Sequence, residues 1–177
     1  KTSGDKTIDP NGNEVSGEAN IQHFSEERLV NYLDKLYLKI ADKAKAHGLY
    51  VIMRPPGVCP RNIKVGDYYQ KYLLNVWDKV TSNAYVKANS AWLSIELANE
   101  PISVLGADGK ESNSALHDYF QPIVDKIRAN GFDGIIWIPG ATWQQNYRPY
   151  AEYPITDPMS ADAPQIGYAV HFYPGWY

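Results

Sequence analysis

The sequence predicts an α/β chain built on a parallel sheet, and three observations carry that expectation. Four compact apolar runs, at Leu49–Met53, Ala91–Pro101, Gly134–Ile138 and Ile166–Tyr173, recur about every 40 residues with helical patterns between them. The runs are continuous rather than alternating, as in strands covered on both faces. Each stops at residues able to do chemistry: Arg54, Asn99 with Glu100, Trp137, and His171 with Tyr173. In parallel folds the C-terminal ends of strands are where ligands bind. Four such units make about half of a (β/α)8 TIM barrel, whose complete form takes roughly 250 residues. A small open doubly wound sheet is the alternative.

Taken in order, residues 1–24 are polar, hold the turn cluster Asp9–Asn13, and read as a loop leading into a domain over 25–177. Ser25 is an N-cap, with Glu26 and Glu27 in the first turn. Leu29, Tyr32, Leu33, Leu36, Tyr37, Ile40, Ala41 and Ala44 follow at helical spacing, and Gly48 closes the helix. His47 is a helix-end cation rather than a ligand. The Leu49–Met53 strand enters Arg54-Pro55-Pro56-Gly57, where the Pro55–Pro56 bond is a candidate for cis. A helix over Asp67–Val80 buries Tyr69, Leu73, Val76, Trp77 and Val80. The next strand buries Trp92, Leu93, Ile95 and Leu97 and sets Asn99 and Glu100 at its end. Gly106–Ser114 is a turn-rich loop, and a helix runs over Ala115–Ala129 to Gly131, with Pro122 inside it or near its first turns. Residues 141–163 form a long loop carrying Trp143, Tyr147, Tyr150 and Tyr153; such loops are functional or disordered.

Bulk properties exclude several function classes. The 177-residue chain has a formal net charge of -3 and no basic run, which argues against nucleic acid as a partner. No apolar run approaches the roughly 18–20 residues of a membrane span. No dinucleotide or P-loop glycine pattern follows any strand, so no cofactor is expected. The four histidines (His23, His47, His117 and His171) show no ligand spacing, so no metal is expected either. Lone Cys59 cannot form an internal disulfide. The chain opens on Lys1 without a leader-like pattern, and the expectation is a processed product or a fragment. With 14 Tyr and 5 Trp against 4 Phe, its aromatic rings mostly have a polar edge, which suits stacking on sugars as well as ordinary cores.

Around one barrel mouth, a carboxyl with His, Tyr and Asn neighbours and a Trp wall fits glycoside chemistry. Asn99-Glu100-Pro101 after Leu93–Ala98, the run His47–Ile52, and His171-Phe172-Tyr173 resemble glycoside hydrolase clan A, and most closely the cellulase-like family 5. The resemblance covers about residues 25–177, as an internal fragment spanning the third to sixth barrel strands. It implies that Glu100 is the general acid/base and that Asn99 contacts the sugar beside the scissile bond. It further implies that His171 and Tyr173 line that subsite, with Tyr173 next to a nucleophile beyond this chain. Trp143 and Trp176 are stacking platforms, or loop packing. The family's third-strand Asp-x-His is replaced by Arg54, Pro55 and Pro56; Arg54-Pro55 is similar to clan members that act on galactosides.

The resulting expectation is a fragment of a secreted retaining endo-β-1,4-glucanase, extracellular or periplasmic, inactive or nearly so alone, with a β-linked polysaccharide or oligosaccharide as its partner. The alternatives are a mannanase, xyloglucanase or galactosidase of the same clan. A non-catalytic β-glucan-binding half-barrel, or one that pairs with a complementary half or a second copy, is a further alternative. Glu96 lies four residues before Glu100, about 13 Å away along an extended strand at roughly 3.3 Å per residue. A retaining carboxylate pair needs about 5–5.5 Å. Glu96 is therefore expected to be a structural carboxylate, paired with Arg54 or with a residue outside the chain.

Overall fold

The computed structural model describes residues 7–8, 14–15, 24–55 and 59–174 of the chain. Asp9–Asn13, Pro56 with its candidate cis bond, and Trp176 lie outside them. Within the leading stretch, Thr7–Ile8 (β1) pairs antiparallel with Glu14–Val15 (β2).

Ser25 caps the first helix as its sequence predicts, its Oγ accepting the Arg28 N–H. Where one regular helix is expected, α1 (Glu26–Tyr32) and α2 (Leu38–Ala46) are joined by a π-helical turn over Leu33–Tyr37. The wider turn shifts the phase of the apolar pattern. Leu29, Leu33, Leu38 and Ala41 are buried, whereas Tyr32, Leu36, Tyr37 and Ile40 are exposed. Gly48, at φ 73°, ends the helix.

The remaining elements are β3 (Val51–Met53), β4 (Asn62–Lys64), α3 (Tyr68–Ser82), α4 (Ala84–Ala88), β5 (Leu93–Glu96), β6 (Ser103–Leu105), α5 (Ala115–Ala129), β7 (Ile136–Pro139) and β8 (Ile166–Ala169). β3, β5, β7 and β8 form one parallel sheet in that order. Sequential parallel order without a reversal is the order of a barrel segment, and the described sheet contains no doubly wound switch point.

Because side chains alternate along a strand, the register separates two faces. Val51, Leu93, Ile95, Ile136 and Ile138 share the face covered by α3 and α5, where Leu73, Val76, Trp77, Phe120, Ile123 and Ile127 are buried. The Trp77 indole N–H donates to the Leu97 carbonyl at 3.1 Å, fixing helix to strand. The other, concave face carries Ile52, Ser94, Glu96, Trp137 and Gly167. Ile52 on this face is exposed, and β3 and β8 each have one strand neighbour among the described residues. Trp92, expected in the core, is half-buried and stacks on Tyr50, because the β5 ladder begins only at Leu93.

A second, parallel ladder joins β4 to β6 beside the sheet. Three-residue strands give no readable period, and this pair is absent from the sequence expectation. Asp67 anchors it: the carboxylate accepts the N–H groups of Lys64 and Gln70 and the hydroxyl of Tyr119, tying β4, α3 and α5 together.

Residues 141–163 are ordered by a buried ion pair. Arg128 donates from Nε and Nη2 to the two Asp157 oxygens, each at 2.9 Å. It also donates to the carbonyls of Phe132, Gly134 and Gln165, so all five guanidinium N–H groups are used. Burial alone raises the Asp157 carboxyl, but hydrogen bonds from Arg128, Gln165 and Met159 outweigh it and hold the group below its ordinary 3.8.

A carboxyl lowered by folding stabilises fully above its unfolded value and loses that contribution as pH falls through the folded value. Urea unfolding should show that loss below pH 3.8 in the parent chain and not in Asp157→Asn. At neutral pH, Arg128→Met should cost about 3–5 kcal/mol by stranding a buried carboxylate. Gly134 is closely enclosed: a Cβ there would lie 2.5 Å from the Ser90 carbonyl oxygen and 2.9 Å from that of Leu93. Backbone atoms cannot yield cheaply, so Gly134→Ala should destabilise by about 1–3 kcal/mol in thermal denaturation.

Candidate active site

Four non-glycine residues among those described have positive φ: Glu100 (53°), Thr142 (54°), Trp143 (55°) and Gln144 (59°). Each such conformation costs about 1–3 kcal/mol and persists only where its surroundings hold it. These four lie together at the C-terminal end of the sheet.

The buried run continues past β5 through Leu97, whose N–H bonds the Trp137 carbonyl, and then turns at Glu100. After β7 the chain passes Gly140 and winds left-handed over Thr142–Gln144. Gly140 is required there, since a Cβ would meet the Asn146 carbonyl oxygen at 2.6 Å. The left-handed turn is held against the segment after Glu100: Thr142 N–H donates to Ile102 and Trp143 N–H to Pro101.

Gln144 is fully buried at the centre. Its Oε1 accepts the Glu100 N–H at 2.7 Å, and its Nε2 donates to Glu96 Oε1 at 2.9 Å and to the Ala169 carbonyl at 2.8 Å. Its own carbonyl accepts the His171 N–H. The Tyr147 hydroxyl also donates to the Ala169 carbonyl; burial pushes this phenol up, so it stays a neutral donor.

The His171 imidazole stands between two carboxylates. Nδ1 is 3.0 Å from Glu100 Oε1, and Nε2 is 3.2 Å from Glu96 Oε1. Side-chain exposure divides the two: Glu96 is 7% exposed and Glu100 is 27% exposed. Glu100 is thus the carboxyl that a ligand can reach, and it lies within hydrogen-bond distance of the imidazole.

The structure brings Glu100, His171 and Arg54 together around Glu96, with Asn99 half-buried beside them. Several expectations change. The extended-strand separation of Glu96 and Glu100 does not hold, because the turn at Glu100 brings both carboxylates onto one ring. Glu96 does pair with Arg54 as expected, at 3.9 Å, but it also has closer partners inside the chain in Gln144 and His171. His171 does not end a strand: β8 stops at Ala169, and the His171 N–H goes to Gln144 instead of the ladder. Trp137 is not at the rim. It pairs in register with Glu96, covers Gly167, and lines a concave-face cavity with Tyr50, Ile52 and Ser94; its indole N–H is buried without a partner among the described residues. Trp143 is exposed above the turn, and Tyr173 is exposed beyond β8.

Gln144 is the site residue that sequence reading missed. The Pro139-Gly140 stop marks a turn, but nothing in the sequence says which of Gln144 and Gln145 points inward. Among the described residues, no group of three or more His, Cys, Asp or Glu side chains could hold a metal ion.

Solved structures share this fold. A triple-mutant endo-β-1,4-glucanase from Xanthomonas axonopodis pv. citri superposes with a TM-score of 0.57 at 17% identity, over 80% of this chain and 45% of that one. The catalytic domain of a Thermobifida fusca endoglucanase, in complex with cellotetraose, gives 0.53 at 21% identity, over 80% and 42%. A broad-specificity endoglucanase from an uncultured bovine rumen ciliate gives 0.53 at 16% identity, over 95% and 42%. The chain therefore spans less than half the length of each of these three. No curated protein matches the sequence significantly. The family model for cellulases, glycosyl hydrolase family 5, matches residues 18–177, and the chain belongs to that family.

Proposed function

We propose that this chain is the acid/base-bearing part of a retaining endo-β-1,4-glucanase. The observation that carries the reading is the partly exposed Glu100 carboxyl, hydrogen-bonded to His171 at the C-terminal mouth of a parallel sheet. Family membership supports it, as do the similar structures described as endoglucanases and holding cellotetraose or cellopentaose.

In this reading Glu100, protonated, gives its proton to the glycosidic oxygen as the bond to the anomeric carbon breaks. A carboxylate nucleophile takes that carbon, and Glu100 then removes a proton from the water that releases the sugar. Glu96 is not that nucleophile. The imidazole fills the space between Glu96 and Glu100, so the two cannot flank a sugar ring. The nucleophile is assigned to a segment outside these 177 residues, consistent with a concave face and two sheet edges that the described residues leave uncovered. Asn99 and Tyr173 are placed as sugar contacts, and Trp143 as a stacking surface. A polymeric glucan does not cross a membrane, so an extracellular or periplasmic site of action goes with this reading.

The purified chain should bind cello-oligosaccharides in a calorimetric titration and should not turn over carboxymethylcellulose or a nitrophenyl cellobioside. Trp143→Ala should weaken binding by about 0.5–1.5 kcal/mol. Turnover would overturn the missing nucleophile, and absence of binding would overturn the substrate class. Glu96→Gln should lower stability by about 1–3 kcal/mol, since one buried carboxylate serves both Gln144 and His171; an unchanged urea midpoint would remove its structural role.

A further inference from the structure

The structure assigns Gln144 as a positioning residue whose side-chain amide aims the Glu100 carboxyl at His171. The assignment rests on the reading of Glu100 as the acid/base and deepens it by naming the group that sets its geometry.

Glutamine is mostly a surface residue. Gln144 has no exposed surface, and both hydrogens of its amide are used. The amide can face only one way. Oε1 meets an N–H donor, whereas Nε2 meets a carboxylate and a carbonyl, so a flipped amide would set donor against donor and oxygen against oxygen.

The Glu100 N–H that Gln144 holds belongs to the residue whose backbone is left-handed, and that conformation turns the Glu100 side chain back over Glu96. The same residue holds the other partner, because the Gln144 carbonyl accepts the His171 N–H. One side chain and its own peptide thus fix both ends of the Glu100–His171 hydrogen bond. A buried methionine would fill similar space but leave the Glu100 N–H, Glu96 Oε1 and the Ala169 carbonyl without the partner that the amide supplies.

The test is NMR on the uniformly labelled chain at one fixed pH. In Gln144→Met the hydrogen-exchange protection of the Glu100 amide should fall about tenfold beyond any global change. The His171 Nδ1 ring resonance should move with it. Asp67→Ala is the control: it removes a helix cap away from the site and should lower stability while leaving that resonance in place. Gln144→Glu is the second variant. It keeps an oxygen for the Glu100 N–H but loses the Nε2 donor, so Glu100 protection should persist while the His171 Nε2 resonance moves.

Unchanged ring resonances in Gln144→Met, or Glu100 protection lost equally in both variants, overturn the assignment. Should Gln144→Met fail to fold, Gln144→Glu decides, and unmoved ring resonances there overturn it. These readouts need no sugar. A chain that binds no cello-oligosaccharide yet shows them loses the glucanase reading and keeps the positioning role.

Discussion

A left-handed backbone at Glu100 is the constraint on which the site depends. Continued as a strand, the chain after β5 would carry position 100 outward, about 3.3 Å per residue, beyond reach of Glu96. At φ 53° it turns instead, and the side chain returns over the strand end. The cost of that conformation is offset by a hydrogen bond from the Glu100 N–H to a fully buried amide, and a bond made away from water is expensive to break. The geometry of the Glu100 carboxyl is thus fixed by an interaction of its peptide, leaving its oxygens for His171 and for solvent.

The segment that supplies this amide must itself be fixed, and residues 141–163 are held at both ends. At the start, the enclosed Gly140 and the two N–H bonds to Pro101 and Ile102 dock the left-handed turn against the chain leaving Glu100. At the far end, Asp157 is gripped by Arg128 of α5 and by the N–H groups of Met159 and Gln165. Between these anchors the Tyr150 hydroxyl donates to the Pro139 carbonyl. The long loop is therefore a rigid wall of the site, joined to the helical layer behind the sheet by an ion pair that water does not reach. Of the two expectations for a long loop, functional or disordered, the structure supports order.

The sequence carried the fold well where burial is periodic or continuous. α5 appears over its expected residues, α3 lies close to its expected span, and the four principal strands lie in their expected order. It carried the Glu100–His171 pairing as well, since the segments that leave a parallel sheet at its C-terminal end converge. It failed where tertiary contacts decide. The π turn in the first helix arises from no residue pattern and exposes Tyr37 and Ile40, which regular spacing would bury. Trp137 reads as a rim residue because it nears a strand's end, but the register places it beside Glu96, a layer lower. Gln144 was invisible because left-handed backbone at non-glycine residues has no local signature, and its partners come from positions 96, 100 and 169.

The placement of His171 joins the two carboxylates into one cluster. Its two ring nitrogens each face a carboxylate oxygen, at 3.0 Å and 3.2 Å. The carboxylates differ in exposure, Glu96 at 7% and Glu100 at 27%, so the imidazole bridges a buried group and one that solvent reaches. Gln144 holds both, its Nε2 donating to Glu96 Oε1 and its Oε1 accepting the Glu100 N–H. The buried amide thus does two things at once: it holds the backbone turn that sets Glu100 against the imidazole, and it gives the deeper carboxylate a neutral donor beside the ring.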